Sequence, residues 1–257
     1  MYLKLKDRTI NSDRLVFSRN SVLEYLKANV PVKTLYIALN VESDRRLIEA
    51  FKIASDRSIS ILEVHRRYLD KITSNSLHQG ILIEILSYKY SYPNDLLGIA
   101  SNSNQLPLLV ALDNISDPYN LGSIIRSVVA FNGHGLIIPQ HNSASVTATT
   151  WRTSAGTLAK IPIARTKNLA CTLQNYHMSG LQIVGLDLNG DTKLNDYKSL
   201  KPQVLVVGSE NKGLSHAVRD RCNTVLYIPT TKLVQSLNVS VATGIALAEI
   251  SRKRKML

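Results

Sequence analysis

After Leu106 the chain settles into short apolar runs separated by helical segments: LPLLVALD, LGSIIRSVVAF, GLIIP, a helical stretch through Ala148 to Leu158, IPIAR, a helix near Leu169 to Tyr176, LQIVGLD, QVLVVGSE, the short helix SHAVRDRC, TVLYIPT and a final helix. Runs that stay apolar without alternating belong to strands covered on both faces, and strands joined by helices pair in parallel. This pattern predicts an α/β fold with a mostly parallel sheet. Ligands of such sheets bind beyond the carboxyl ends of the strands, so the loops after Leu112, Val207 and Pro229 are the candidate sites.

A second, smaller alternation precedes it. From Leu15 to about Tyr88 the reading is extended LVFS, helical NSVLEYLKA, extended KTLYIAL, helical SDRRLIEAFKIASD, extended SISILEV, helical RRYLDKITS and extended GILIEIL. Residues 1–88 are therefore expected to form a small α/β domain. Between Ser91 and Gln105 the periodicity fades and Pro, Asn and Ser accumulate, which marks 89–105 as a linker that includes one short helical stretch, DLLGIA. The larger domain then spans 106–257.

The last segment is unusual in its own right. From Ile228 to Glu249 it reads IPTTKLVQSLNVSVATGIALAE, a polar loop followed by a helix that is apolar nearly all the way round. A surface helix shows one apolar stripe, so this helix is expected to be buried. Gln235, Ser236 and Asn238 stand at its entrance, where side chains and unpaired amides beside an apolar interior suit a ligand.

With 31 Lys and Arg against 19 Asp and Glu, the chain carries a formal net charge of +12. Such a field attracts a polyanion, and RNA or DNA is the obvious partner. The basic run Arg252 to Lys255 also reads as a solvated helix end that complements the helix dipole. No run of eighteen apolar residues occurs and the first residues lack a signal-peptide core, so a soluble, intracellular protein, cytoplasmic or else organellar, with no membrane partner is expected. Cys171 and Cys222 are too few for a metal site or disulfide framework.

The first strand-end loop reads DNISDPYNLGSIIRS. Leu121, Ile124, Ile125, Val128 and Val129 share one helical face, which turns Arg126 away from the core and toward an anion. Asn120 is a natural N-cap for that helix. The second loop, VVGSENKGLS, has two glycines five apart, but Leu214 stands where a phosphate-binding loop needs Lys. Gly133-His134-Gly135 lacks the third glycine of a dinucleotide fingerprint. What remains is a flexible strand-to-helix loop carrying Glu210.

Taken in order, these loops resemble the signatures of the SpoU/TrmH family of RNA ribose 2′-O-methyltransferases, in the SPOUT superfamily. The residues that carry the resemblance are Asp117-Pro118, Asn120, Gly122 and Arg126; Gly208, Glu210 and Gly213; and Ile228-Pro229 with Ser236-Leu237-Asn238-Val239-Ser240. Thr153-Ser154-Ala155-Gly156 continues it. The front block, above all His78-Gln79-Gly80, is similar to the RNA-binding domain of the RlmB type, which methylates a guanosine of large-subunit ribosomal RNA. In that setting the segment is expected to shape an RNA-facing surface, whereas His78 alone reads as an ordinary turn or core histidine. Lys232 and Asn132 depart from the pattern, each standing where a glycine is common, and Lys212 adds charge to the second loop.

The resemblance implies a deep trefoil knot that tucks the last helix through a loop, a pocket for S-adenosylmethionine formed by Gly208, Ile228 and Leu237, no metal, and a homodimer whose sites are completed by the partner. It implies that Asn120, Arg126, Glu210, Ser236 and Asn238 form the catalytic and RNA-orienting set, acting on RNA and not DNA. An arginine is a poor base, because a guanidinium keeps its proton in proteins. Arg126 is therefore expected to bind a phosphate or the developing alkoxide, with Glu210 and Asn120 orienting it. A transfer-RNA ribose methyltransferase of the same fold, or a non-catalytic RNA-binding factor, remain alternative readings.

Overall fold

In the computed structural model the described residues are 12–101, 105–198, 201–209, 212–231, 233 and 235–255. They divide into two compact units, one drawn from Met1–Tyr88 with Val146–Arg152 and one from Lys89–Ser145 with Thr153–Leu257.

The first unit runs β1 (Leu15–Phe17), α1 (Arg19–Lys27), β2 (Val32–Ala38), α2 (Arg45–Asp56), β3 (Ser60–Val64), α3 (Arg66–Ile72) and β4 (Ile81–Ile85). Its sheet has the order β1-β4-β2-β3, with β4 antiparallel to both β1 and β2, and β3 parallel to β2. Ser18 caps α1 by accepting from the Ser21 amide, and Asp44 caps α2 by accepting from the Leu47 amide. Leu47, Ala50 and Ala54 then fall on one buried face of α2, the spacing an amphipathic helix requires. His78 is buried. The Gly80 amide donates to its Nδ1 at 3.0 Å, which leaves Nε2 to donate to Asp70 at 2.8 Å. Its imidazole therefore braces the turn before β4.

The second unit contains α4 (Pro93–Ser101), β5 (Leu108–Leu112), α5 (Pro118–Ala130), β6 (Gly135–Pro139), the end of α6 (Ala148–Thr153), β7 (Ile163–Thr166), α7 (Leu169–Met178), β8 (Gln182–Leu186), β9 (Thr192–Lys193), β10 (Gln203–Val207), α8 (His216–Arg219), β11 (Thr224–Tyr227) and α9 (Val239–Lys255). Among the described residues its seven strands lie in the order β7-β6-β5-β10-β8-β11-β9, and every neighbouring pair is parallel. Every residue of β5 and β10 is buried, as strands covered on both faces must be. The stretch expected to link the domains forms α4, and Leu96 on it packs fully buried with Leu109, Ile137 and Tyr176. The helix expected through Leu158 stops at Thr153, because Ala155 and Gly156 take left-handed backbone angles of φ 49° and 79° that no α-helix accommodates.

The final helix is less buried than its composition suggests. α9 buries Val239, Thr243, Ala246, Leu247 and Ile250 and packs against α5, yet Val241 and Ile245 are 50% and 39% exposed. Their apolar face is not covered by the described residues of this chain. No helix among the described residues is long and apolar enough to cross a membrane.

The basic run at the end of α9 is also more than a solvated terminus. Lys253 Nζ donates to the carbonyls of Leu194, Asn195 and Tyr197 at 3.1, 2.6 and 2.7 Å. Arg254 donates to those of Leu106, Pro107 and Lys201 at 2.7, 3.1 and 3.0 Å, and burial pushes its guanidinium down to about 10. These two side chains fasten α9 to the entry of β5 and to the segments before β10. Hydrogen bonds from a charged donor each contribute about 1.5–3 kcal/mol. Arg254→Ala is expected to cost about 3 kcal/mol, a fall of about 6–12 °C in melting temperature for a domain of this size, read by calorimetry.

Candidate functional site

The first loop positions its residues through a cap that the sequence pattern assigns elsewhere. Asp117, not Asn120, caps α5: its carboxylate accepts from the Tyr119 amide at 2.9 Å, and Pro118 occupies the first helical position. Asn120 is thereby moved into the first turn, where its Oδ1 accepts from Asn238 Nδ2 at 3.0 Å. Burial of Leu121, Ile124, Ile125 and Val128 leaves Arg126 exposed on the opposite side of α5. Asn132, just past the helix, has φ 56°, which explains why glycine suits that place and why asparagine tolerates it.

The second loop is drawn tight. The Ser209 amide donates to the Gly213 carbonyl at 3.1 Å and the Gly213 amide to the Ser209 carbonyl at 2.9 Å. Gly213 has φ 63°, and a Cβ there would lie 2.3 Å from Asp187 Oδ2. Two buried carboxylates at strand ends hold the residues after Gly213: Asp187 Oδ2 accepts from the Leu214 amide at 2.9 Å, and Asp113 Oδ2 accepts from the Ser215 amide at 2.7 Å. The sequence motifs do not single out either aspartate. Each ends an apolar strand run, VALD and VGLD, and that placement of a carboxylate at a buried strand end is the signal that could have found them. Glu210 and Lys232 lie outside the described residues.

In the third loop Asn238 caps α9. Its Oδ1 accepts from the Ser240 amide at 3.0 Å and from the Ser240 hydroxyl at 2.6 Å, while its Nδ2 faces Asn120. The two ends of one side chain thus do separate jobs. Asn238→Ala is expected to cost about 1 kcal/mol as a lost cap. Asn238→Asp keeps the acceptor and loses the donor to Asn120, so its melting temperature should stay within about 2 °C of the parent while activity at the site falls, a split that thermal unfolding and an activity assay together would detect.

Gly208, Ile228 and Leu237 line one cavity of about 470 Å³, and Ser236 lines it too. This size lies within the range of about 300–1,000 Å³ usual for small-molecule sites. Leu186, Val207, Leu214 and Val239 give it apolar walls, while Lys212 and Arg219 supply cationic groups and His216 an imidazole. Apolar walls interspersed with charged and polar groups fit a nucleoside bearing an amino-acid tail. Asn120, Asn238 and Arg126 are not among its lining residues. Arg126 instead lines an open groove with Ser123, Ser127, Ser240, Val241 and Gly244. Cys222 contributes no nucleophile, since burial pushes its thiol up to about 12.

A parallel sheet with a cofactor-sized cavity at its carboxyl edge, walled by a glycine-tight loop, defines an α/β enzyme that binds a small cosubstrate. The chain belongs to the SpoU rRNA methylase family, whose sequence profile matches residues 107–248, and a profile described as RNA 2′-O ribose methyltransferase substrate binding matches residues 15–91. It is an RNA methyltransferase of that family. An uncharacterised tRNA/rRNA methyltransferase of Mycolicibacterium gilvum is 51% identical over 98% of this chain and 80% of its own length. Another from Mycolicibacterium paratuberculosis is 56% identical over 93% and 77%. Among solved structures, the SpoU methyltransferase AviRb from Streptomyces viridochromogenes in complex with AdoMet superposes with a TM-score of 0.68 at 25% identity, covering 95% of this chain and 91% of that one. The AdoMet-bound rRNA methyltransferase from Sinorhizobium meliloti gives 0.67 at 27% identity, covering 93% and 86%.

Proposed function

We propose that this enzyme methylates the 2′-oxygen of a ribose, in a guanosine of large-subunit ribosomal RNA, with S-adenosylmethionine as donor. The observation that carries the reading is the cavity in which Gly208, Ile228, Leu237 and Ser236 meet. The cosubstrate, when bound, supplies a methyl group already activated on a sulfonium. The protein must then hold the ribose oxygen in line with it and stabilise the charge that oxygen gains as its proton passes to an RNA phosphate or another group, the demethylated cosubstrate leaving as a neutral thioether, so positioning dominates. Ser236 stands at the cavity, and the Asn120–Asn238 pair joins the first loop to the third, placing amide groups that hold a ribose or a base edge. Arg126 offers a guanidinium fork to a phosphate or to the developing alkoxide. Glu210 is assigned to orienting it.

Arg126 lies in a different groove from the cavity, and beside it Val241 and Ile245 present an uncovered apolar face on α9. That arrangement supports a homodimer in which Arg126 of one copy serves the cavity of the other. We further assign the last segment to a trefoil knot, a reading supported by the family's membership and by the meeting of the second and third loops around one cavity. The choice of ribosomal RNA rests on the 15–91 match and on the rRNA methyltransferase of Sinorhizobium meliloti.

The test is to incubate the protein with labelled S-adenosylmethionine and either ribosomal or transfer RNA from a strain lacking it, then map alkali-resistant 2′-O-methyl positions. A single labelled guanosine in large-subunit RNA is the expected result. Label confined to transfer RNA would overturn the substrate.

A further inference from the structure

We propose that the first unit grips the sugar–phosphate backbone of its RNA at one end of the four-stranded sheet, through Arg45, Arg46, Arg66 and Arg67. This rests on the reading of the chain as an RNA methyltransferase and adds to it the surface and the residues. Strands β1, β2 and β3 run in one direction and β4 in the other, so the loops leaving β1, β2 and β3 and the turn entering β4 converge at a single end. The convergence is fixed by hydrogen bonds: the Leu39 amide donates to the Val64 carbonyl at 2.8 Å and the Ala38 amide to the Gly80 carbonyl at 2.8 Å. Arg19 then ties three of these segments together. Its guanidinium donates to the Glu42 carbonyl at 2.8 Å and the Gln79 carbonyl at 3.3 Å, and pairs with Asp44 at 3.0 Å.

On this braced end Arg45 and Arg46 open α2, and Arg66 and Arg67 open α3. All four are exposed, and none forms a salt bridge among the described residues. The acids here are divided. Asp44 is engaged by Arg19 and by the cap of α2, and Asp70 by His78, while Glu42 and Glu63 are exposed. The opposite end of the same sheet is different, because its cations serve the fold. Lys33 pairs with Glu84 at 2.7 Å, Arg57 donates to the Leu26 and Val30 carbonyls at 2.9 and 2.7 Å, and Arg14 donates to Ser87 at 2.6 Å.

Among the described residues, only the first of these ends therefore presents a group of exposed guanidinium forks that form no salt bridge. Such forks match phosphate oxygens two at a time, and each phosphate neutralised releases counterions. The partner is RNA backbone recognised by charge and spacing, which sets affinity and register and leaves base choice to the methyl-transfer site.

The experiment measures binding of an in-vitro transcribed large-subunit ribosomal RNA domain to the full-length protein over a series of salt concentrations. The variants are Arg45→Gln with Arg46→Gln, Arg66→Gln with Arg67→Gln, and a control pair, Lys27→Gln with Lys52→Gln. Each arginine pair should weaken binding about tenfold and reduce the slope of log affinity against log salt by about 0.7–0.9 for each phosphate no longer neutralised. The KM for RNA should rise with kcat nearly unchanged, and melting temperature and S-adenosylmethionine affinity should match the parent. Unaltered slopes in both arginine variants would sink the proposal, and so would an equal loss in the control pair. A parent protein that binds this RNA with the expected slopes but methylates no guanosine in it would overturn the proposed substrate while leaving the surface in place.

Discussion

Arg126→Ala is expected to lower single-turnover methylation at saturating RNA by about 100-fold or more, the usual effect of removing one donor from a developing oxyanion. S-adenosylmethionine affinity should not change, since Arg126 does not line the cavity that holds Gly208, Ile228 and Leu237. Stability should not change either, because the side chain is exposed and forms no ion pair among the described residues. Arg126→Lys retains the charge and loses the planar fork, so an intermediate rate separates field from geometry. Calorimetry and a single-turnover assay suffice, and an alanine variant with parental turnover would remove Arg126 from the proposed chemistry.

How far the sequence reveals this molecule depends on how local each cause is. The parallel sheet is legible because β5 and β10 must be apolar on both faces, and residues 108–112 and 203–207 are. The strand order is not, since β10 inserts between β5 and β8, which requires long-range pairing that no local period encodes. The composition of α9 suggests burial on every side, yet Val241 and Ile245 remain uncovered, because an apolar residue does not say which chain will cover it. Lys253 and Arg254 read as solvated for the opposite reason: their partners are carbonyls up to 148 positions away in sequence.

The site shows the same division. Gly208, Ile228 and Leu237, grouped by the resemblance and not by any local pattern, line one cavity. The capping pattern is shifted at α5, where Asp117 takes the cap expected of Asn120, while Asn238 caps α9. Every one of these residue types is a competent cap, and only the register of each helix decides which one is used. Asp113 and Asp187 are hard to recognise because they act through backbone amides of a distant loop, leaving no signature beyond a carboxylate at the end of an apolar strand.

Gly208→Ala should damage the other half of the site. An added Cβ would lie 2.2 Å from the Gly213 carbonyl carbon and 2.4 Å from both the Gly213 oxygen and the Leu214 nitrogen. All three atoms are backbone, so no rotamer relieves the contact. The loop cannot recede without giving up the bonds from the Leu214 and Ser215 amides to Asp187 and Asp113. Overpacking of this kind costs about 1–3 kcal/mol. Expressed at the cavity wall, it weakens S-adenosylmethionine binding by about 10–100-fold, measurable by calorimetry, in contrast to Arg126→Ala. The two variants together test where Arg126 acts. If it serves the cavity of a partner copy, co-expressed Arg126→Ala and Gly208→Ala chains form mixed dimers in which one cavity is intact and faces an intact Arg126. Such mixtures should recover activity well above either variant alone, whereas a site built within one chain leaves every copy defective and recovers none.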